Sequence, residues 1–418
     1  MTPRGRLPGS GAHTRVGNVF AVIVVGALLQ VLTQTVLARG LPKPEVGLIS
    51  LIIGALPLVS TLSLLGQDSS IVRHLSRDSS SRYELTAHAR RVVLIVTTLG
   101  ALLAVIGGIY YALAGIALAT MIVLVASLNV VTVVTAFQRA AHRYESAIFG
   151  TRLPVIAAAI ALTVAYGTGR LTQGTALWIL LLSYAVSALV LLARRPFPGG
   201  VHSGGAEPVP GRFFREGFLF LGLSVSLSVM VSMDRLVITK LMTLADVAVY
   251  STIFSITKGF DFLFYAIGYV LMPVLSRVER VDLRRPTLAI AGLAVLATIG
   301  YLTLGDDVVH LLFKGRYDAG SYLIPAFVLS GVLKLFYSIP SSFIGGRAPI
   351  RAVRQFMLVN LATMFLNVTL DIVLILRMGL LGAAVATAVA WGLRLLGGLI
   401  IMHIHKDGAN DSTRKEEA

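Results

Sequence analysis

Arg235, Lys258, Lys334 and Arg394 stand inside long apolar stretches of the chain, and so do Asp234, Asp261 and Asp371. A charge at bilayer depth costs at least ~2.5 kcal/mol on insertion scales, so it faces a cavity or a partner. The basic side chains suit an anion such as a phosphate, held by charge-assisted hydrogen bonds. The acidic ones are candidates for coupling to H⁺ or Na⁺. Polar seams at helical spacing surround them: Ser224, Ser228, Ser232, Arg235 and Thr239; Ser251, Ser255, Lys258, Phe262, Tyr265 and Tyr269; Ser330, Lys334, Tyr337 and Ser341; Asn360, Asn367 and Asp371; Thr387, Trp391 and Arg394. The N-terminal half offers Gln30 and Gln34 on one helix face and Ser127, Asn129, Thr132 and Thr135 on another, and its spans carry no charge in their cores. The pattern predicts a water-filled cavity with a cationic C-terminal wall. Arg235, Lys258, Lys334, Arg394, Gln30, Gln34, Asn129, Asn360 and Asn367 are its expected substrate contacts. Two blander roles compete: salt bridges that only join helices, as for Lys258 with Asp261, and snorkelling of Asp234, Arg235 and Arg394 to an interface.

The elements that must position these residues follow from composition. The chain has 418 residues, of which 56% are hydrophobic and 13% charged, with a mean hydropathy of +0.82. Soluble domains carry about 25% charged residues, so a soluble fold is excluded. A spanning helix needs roughly 20 apolar residues. Twelve such spans are predicted, at 17–38, 46–66, 92–112, 115–136, 147–167, 174–193, 217–240, 246–275, 287–305, 321–344, 355–376 and 379–402. The eighth is long enough to project from the bilayer. No linker is long enough for a soluble catalytic domain, so the chain is expected not to be an enzyme. The absence of cysteine excludes disulfides, thiolate catalysis and cysteine metal sites.

Placing the N-terminus inside puts most of the 36 Lys and Arg on the inner side. That bias predicts cytoplasmic N- and C-termini in a cell (plasma or cytoplasmic) membrane. The net charge of +16 is then read as basic loops facing anionic lipid, with no nucleic-acid partner.

Two six-helix lobes are expected, 17–193 and 217–402, flanked by a basic cytoplasmic segment 1–16 and a polar cytoplasmic tail 403–418. The Gly- and Pro-rich stretch 194–216 reads as a cytoplasmic linker between them. ARGLPKPEVGLIS from Ala38 aligns with TKLMTLADVAVYS from Thr239, pairing Arg39 with Lys240, Val46 with Val247 and Ser50 with Ser251. An even number of spans per lobe makes this a parallel repeat about an axis along the membrane normal. The predicted fold class is an all-α integral membrane protein, its lobes related by a pseudo-two-fold around a central cavity. Other motifs carry little. His74 and Asp78 are one residue short of H-x-x-x-x-D, Asp306–Asp307 fits a solvated helix end, and His403 and His405 lack a third ligand. No P-loop, metal site or other cofactor is implied.

With these features in order, the chain resembles the lipid-linked oligosaccharide flippases, or polysaccharide biosynthesis transporters, of the multidrug/oligosaccharidyl-lipid/polysaccharide exporter superfamily. The resemblance covers about Val16 to His403. It rests on GQDSSIVRHLSR (Gly66–Arg77), DRLVITKLMTLADVAVYS (Asp234–Ser251), FKGRYDAG (Phe313–Gly320) and RMGLLGAAVATAVAWG (Arg377–Gly392). Ala248 replaces the family's usual glycine, and Gly315-Arg316-Tyr317 is one residue tighter than its G-x-x-Y. The resemblance places Arg73 at the inner end of the second span, an inner-gate candidate. It implies a polyprenyl-diphosphate-linked glycan moved from inner to outer leaflet by alternating access. Partners implied are the lipid bilayer, H⁺ or Na⁺, and a glycan polymerase or glycosyltransferases of the same pathway. A cation/drug antiporter of the superfamily is the alternative.

Overall fold

The computed structural model describes residues 11–77, 85–141, 143–194, 211–275, 283–346 and 348–406. Residues 1–10, most of the linker 194–216 and the tail from 407 lie outside them. Among the described residues the N-terminal half forms α1 (Gly11–Gly40), α2 (Lys43–Leu64), α3 (Gln67–Arg77), α4 (Leu85–Tyr110), α5 (Gly115–Ala140), α6 (Tyr144–Gly167) and α7 (Gln173–Ala193). The C-terminal half forms α8 (Gly211–Leu241), α9 (Leu244–Thr257), α10 (Gly259–Leu275), α11 (Arg284–Phe313), α12 (Ile324–Gly346), α13 (Ile350–Met378) and α14 (Leu380–Lys406), with a 3₁₀ turn at Asp318–Leu323 before α12. The described residues hold ten helices long and apolar enough to cross a membrane, or eleven if the bent pair α9–α10 is one span. The first predicted span falls on α1, whose described apolar part, Val24–Gly40, is shorter than a full crossing. The molecule is an all-helical, multi-pass membrane protein.

Three features depart from the predicted spans. The eighth is broken at Lys258, with a bend of 49° between α9 and α10. The carbonyl of Ile256, freed at the break, accepts a hydrogen bond from Tyr301 on α11 at 2.9 Å. α11 runs on to Phe313, well past the predicted end at 305. α3 is an extra, amphipathic helix whose polar sequence QDSSIVRHLSR falls below any spanning threshold. It buries Ile71 against Val92, Val96, Val133 and Phe137.

Local chemistry sets the joints. Pro44 opens α2 in its first turn. Thr243 and Asp246 form a reciprocal capping box at the start of α9. Gly379, at φ +60°, is the sole residue between α13 and α14. A Cβ on Gly382 would lie 2.1 Å from the Leu374 carbonyl oxygen, so this hairpin requires both glycines of RMGLLG.

A single apolar core runs through both halves, joining Val46, Ile49 and Ile52 of α2 to Val247, Tyr250 and Ile253 of α9. Lipid is as apolar as this core, so close packing rather than hydrophobicity must hold the helices together. Gly47 permits that contact: a Cβ there would sit 1.8 Å from the Leu244 carbonyl oxygen.

Candidate functional site

Where α1, α2, α6 and α7 face α8 and α9, a cavity of about 90 Å³ remains. That is room for several waters. Its polar walls come from both halves: Gln30, Thr33 and Gln34 on α1, Ser50 on α2, Tyr184 on α7, Arg235 on α8, Ser251 and Ser255 on α9, and Lys258 at the helix break. Gln34 Nε2 donates across the halves to Thr252 Oγ1 at 3.1 Å, and Lys258 Nζ to Gln30 Oε1 at 3.4 Å. The Arg235 guanidinium lies 5.3 Å from the centre of the Phe254 ring. Gly54 leaves it room, since a Cβ there would sit 2.8 Å from Arg235 Cδ. Arg235 is 7% exposed and its Nε has no hydrogen-bond partner. Among the described residues no carboxylate forms an ion pair with Arg235 or Lys258. The repeat alignment, continued at the same register, pairs Gln34 with Arg235, Ser50 with Ser251 and Ile53 with Phe254. All six line this cavity.

A smaller void of about 20 Å³ lies within the C-terminal half and shares Arg235 and Phe254 with the first. Here Lys334 Nζ meets Asp261 Oδ1 at 2.6 Å, with the Trp391 ring 5.0 Å away. Lys334 therefore already has its counter-ion. The Asp234 carboxylate accepts from the Tyr250 hydroxyl and, at 2.9 Å, from Thr387 Oγ1. Its second oxygen and both oxygens of the Asp371 carboxyl beside it have no donor beyond each other. The Asn367 side chain, also fully buried, is unpartnered at both ends. Two buried acids thus lie side by side with the Thr387 hydroxyl on one of them, and among the described residues no basic side chain forms an ion pair with either.

Other expected contacts lie outside both cavities. Arg394, 1% exposed, donates to Thr363 Oγ1, the Ser226 carbonyl and the Asn360 carbonyl at 2.9–3.1 Å. Asn360 accepts from Tyr337 at 2.7 Å. Asn129 accepts from Ser60 at 2.7 Å and donates to Ser63 and the Val96 carbonyl at 2.8 Å each, tying α2, α4 and α5 together. Asn129→Ala leaves those groups buried without partners, at a cost of about 1–3 kcal/mol. The variant is expected to melt earlier in detergent while each folded molecule transports within twofold of wild type. An unchanged melting temperature would show that the knot holds nothing. Arg73 lies on α3, but its side chain is outside the described ones.

The profile of the polysaccharide biosynthesis protein family matches residues 16–279, a range that includes every residue lining the larger cavity. The chain belongs to this family. No curated protein matches the sequence closely enough to count as a relative. Among solved structures, the chain is similar to the lipid II flippase MurJ in an inward closed conformation, with 12% identity and a TM-score of 0.70 over 91% of this chain and 86% of that one. It is similar to an inward-facing multidrug resistance MATE family transporter of the MOP superfamily, with 14% identity and a TM-score of 0.66 over 94% and 99%. It is also similar to a MOP superfamily transporter from Pyrococcus furiosus Vc1, with 15% identity and a TM-score of 0.51 over 95% and 97%. In that protein a reverse polarity of the binding pocket is said to suggest a different function. At these identities the likeness establishes the fold: this family member has the fold of MOP superfamily transporters.

On the MOP fold of this family member, side-chain contacts link the two halves toward both ends of the helices. At one end Arg39, near the end of α1, donates to the terminal carbonyls of α11, Leu311 and Leu312, at 2.6 Å. Arg316 returns the contact to the carbonyls of Ala38, Arg39 and Leu41 at 2.9 Å. Lys240, the repeat partner of Arg39, donates to the Tyr110 carbonyl at the end of α4. Cations thus cap helix C-termini whose carbonyls would otherwise be orphaned, and each cap bridges the two halves. At the other end Thr61 and Ser228 bond at 2.7 Å, and a Cβ on Gly66 would strike the Gly217 carbonyl at 2.0 Å. Removing both arginines, Arg39→Ala with Arg316→Ala, is expected to open the first mouth. The chain has no cysteine, so Ser50→Cys gives a single reporter inside the cavity. Its labelling by an impermeant maleimide from that face should rise at least fivefold; an unchanged rate would remove the clasp as a closure.

The sequence pattern missed Arg152, Tyr184 and Tyr250 as site residues of this family member, and it set Thr387 on a polar seam without giving it a role. Arg152 lies near the start of its span and counts with the inner loop in the sequence. The structure seats it on α6 among the helices, against Gly26 of α1. The N-terminal half therefore does bring a charge to the cavity region.

Proposed function

We propose that the protein is a flippase that moves a polyprenyl-diphosphate-linked oligosaccharide from the inner to the outer leaflet of the cell membrane, for assembly of cell-surface polysaccharide or glycoconjugate. The observation that carries this reading is the pair Arg235 and Lys258, which line a cavity between the halves with no carboxylate among the described residues forming an ion pair with either. Cations left without counter-ions in a membrane interior call for an anionic ligand. The serine, glutamine and tyrosine walls suit sugar hydroxyls, while the polyprenyl tail stays in lipid. A negative interior assists outward movement of an anion by ~2.3 kcal/mol per charge per 100 mV.

The architecture proposed is twelve spans in two six-helix lobes, 17–193 and 217–402, joined by the linker 194–216, with both termini cytoplasmic. Packing supports the repeat. α1 packs on α6 as α8 does on α13, α5 on α7 as α12 on α14, and α4 on α5 as α11 on α12. Alternating access then opens one mouth of the cavity while the other is closed. Coupling to H⁺ or Na⁺ is assigned to Asp234 and Asp371, with Thr387 bonded to Asp234 and Asn367 one turn before Asp371 on α13, and not to Asp261, which Lys334 neutralises. A glycan polymerase or glycosyltransferases would supply or consume the cargo.

The test is flipping of a fluorescent polyprenyl-diphosphate glycan in proteoliposomes, with efflux of a drug cation followed in the same vesicles. Flipping without efflux is expected. Efflux without flipping would overturn the reading in favour of a cation/drug antiporter.

A further inference from the structure

A third cation, Arg152, lies beside the cavity, one turn of α6 before the lining residue Val155. A Cβ on Gly26 would meet Arg152 at Cδ (2.8 Å), Nε (3.0 Å) and Cζ (3.4 Å), so the side chain packs against bare α1 backbone. Gly26 is one helical turn from Gln30, which holds Lys258. Arg152 is likewise one turn from Val155, a lining residue on the same face of α6. The two cations are thus anchored one turn apart along α1, about 6 Å of rise. Arg152 feels the phenols of Tyr184 and Tyr265, one from each half. Lys258 in turn feels Arg235, Arg152 and Lys334, all of its own sign, and the carboxylate of Asp261, which is ion-paired with Lys334. Among the described residues no acid forms an ion pair with Arg152. Snorkelling would carry this side chain along α6 to the membrane surface, yet it crosses to α1 instead.

We propose that Arg152 is the residue that reads the second phosphate of the cargo, giving the cavity its preference for a diphosphate carrier over a monophosphate one. The inference rests on the flippase reading. Arg152, Lys258 and Arg235 bring three positive charges without paired carboxylates. A diester of diphosphate carries two negative charges and leaves one cation uncompensated, whereas a phosphodiester leaves two. The one-turn stagger sets successive cations beside successive phosphates.

The experiment compares flipping of a fluorescent polyprenyl-diphosphate sugar and a polyprenyl-monophosphate sugar in proteoliposomes, for wild type, Arg152→Gln and Gly26→Ala. Wild type is expected to move the diphosphate at least tenfold faster. Arg152→Gln should slow the diphosphate at least tenfold and the monophosphate less than twofold, so that the two rates converge. Gly26→Ala keeps the charge but displaces the guanidinium, and should narrow the preference in the same direction, which keeps the test open should Arg152→Gln fold poorly. Either variant slowing both substrates equally, or keeping the wild-type ratio, would overturn the inference and leave the flippase reading standing. Wild type moving neither lipid would overturn the flippase reading itself.

Discussion

Arg235→Ala is expected to cut flipping of a polyprenyl-diphosphate glycan at least hundredfold while the protein stays folded. The two halves of that expectation have separate causes. Within the protein, Arg235 contributes its stacking on Phe254, and its Nε bonds to nothing. Removing the side chain therefore orphans no buried carbonyl or carboxylate. Toward an anionic cargo it offers a rigid fork of donors, and each hydrogen bond to a charged group is worth about 1.5–3 kcal/mol. Losing two of them amounts to a hundredfold or more. Arg235→Lys keeps the charge without the fork and should fall between the two. Arg394→Ala makes the control, since it strands the Ser226 and Asn360 carbonyls and loses the donor to Thr363. That variant should lose melting temperature first, and transport only in proportion to folded protein. Initial flipping rates at matched amounts of folded protein decide it: Arg235→Ala within fivefold of wild type would remove Arg235 from the cargo path.

The contrast between those two arginines shows what the sequence displays and what it withholds. Long apolar runs announce spanning helices because lipid tolerates little else, so most predicted spans fall on observed helices. Helical period then identifies the face a residue occupies, and it put Gln30, Gln34, Arg235 and Lys258 on faces that do line the cavity. Period does not say what lies opposite that face. Arg394 and Asn129 sit on polar seams of the same kind, yet they face neighbouring helices and are consumed by bonds to them. The break at Lys258 is hidden for a related reason. The eighth span is continuously apolar around it, and what accommodates the bend is Tyr301, distant in sequence, docking on Gly259 and the Ile256 carbonyl. α3 escaped because a short amphipathic helix lacks the apolar run that marks a span.

Asp371→Asn is expected to uncouple transport from any cation gradient. Asp371 and Asp234 lie side by side in the C-terminal half, and three of their four oxygens have no donor beyond the pair itself. Two adjacent carboxylates in a low-dielectric site cannot both stay ionised without a cation between them, whether a proton or a metal ion. Thr387 Oγ1 bonds Asp234, and Asn367, one turn before Asp371 on α13, keeps an unpartnered side-chain oxygen, so each is a candidate ligand of that cation. Binding there would draw α8, α13 and α14 together next to Arg235, which directly follows Asp234 in α8 and lines both cavities. The side-chain amide that Asp371→Asn introduces would donate to Asp234 permanently and remove the charge that attracts the cation. In wild type, an imposed sodium or pH gradient should raise the flipping rate at least threefold; in Asp371→Asn and in Asp234→Asn that ratio should fall to about one. Response to sodium at constant pH would assign a metal ion, and response to pH alone a proton. Asp261→Asn, which loosens Lys334 instead, should keep the wild-type ratio. Should the ratio survive in Asp371→Asn and vanish in Asp261→Asn, coupling would belong to the Lys334–Asp261 pair.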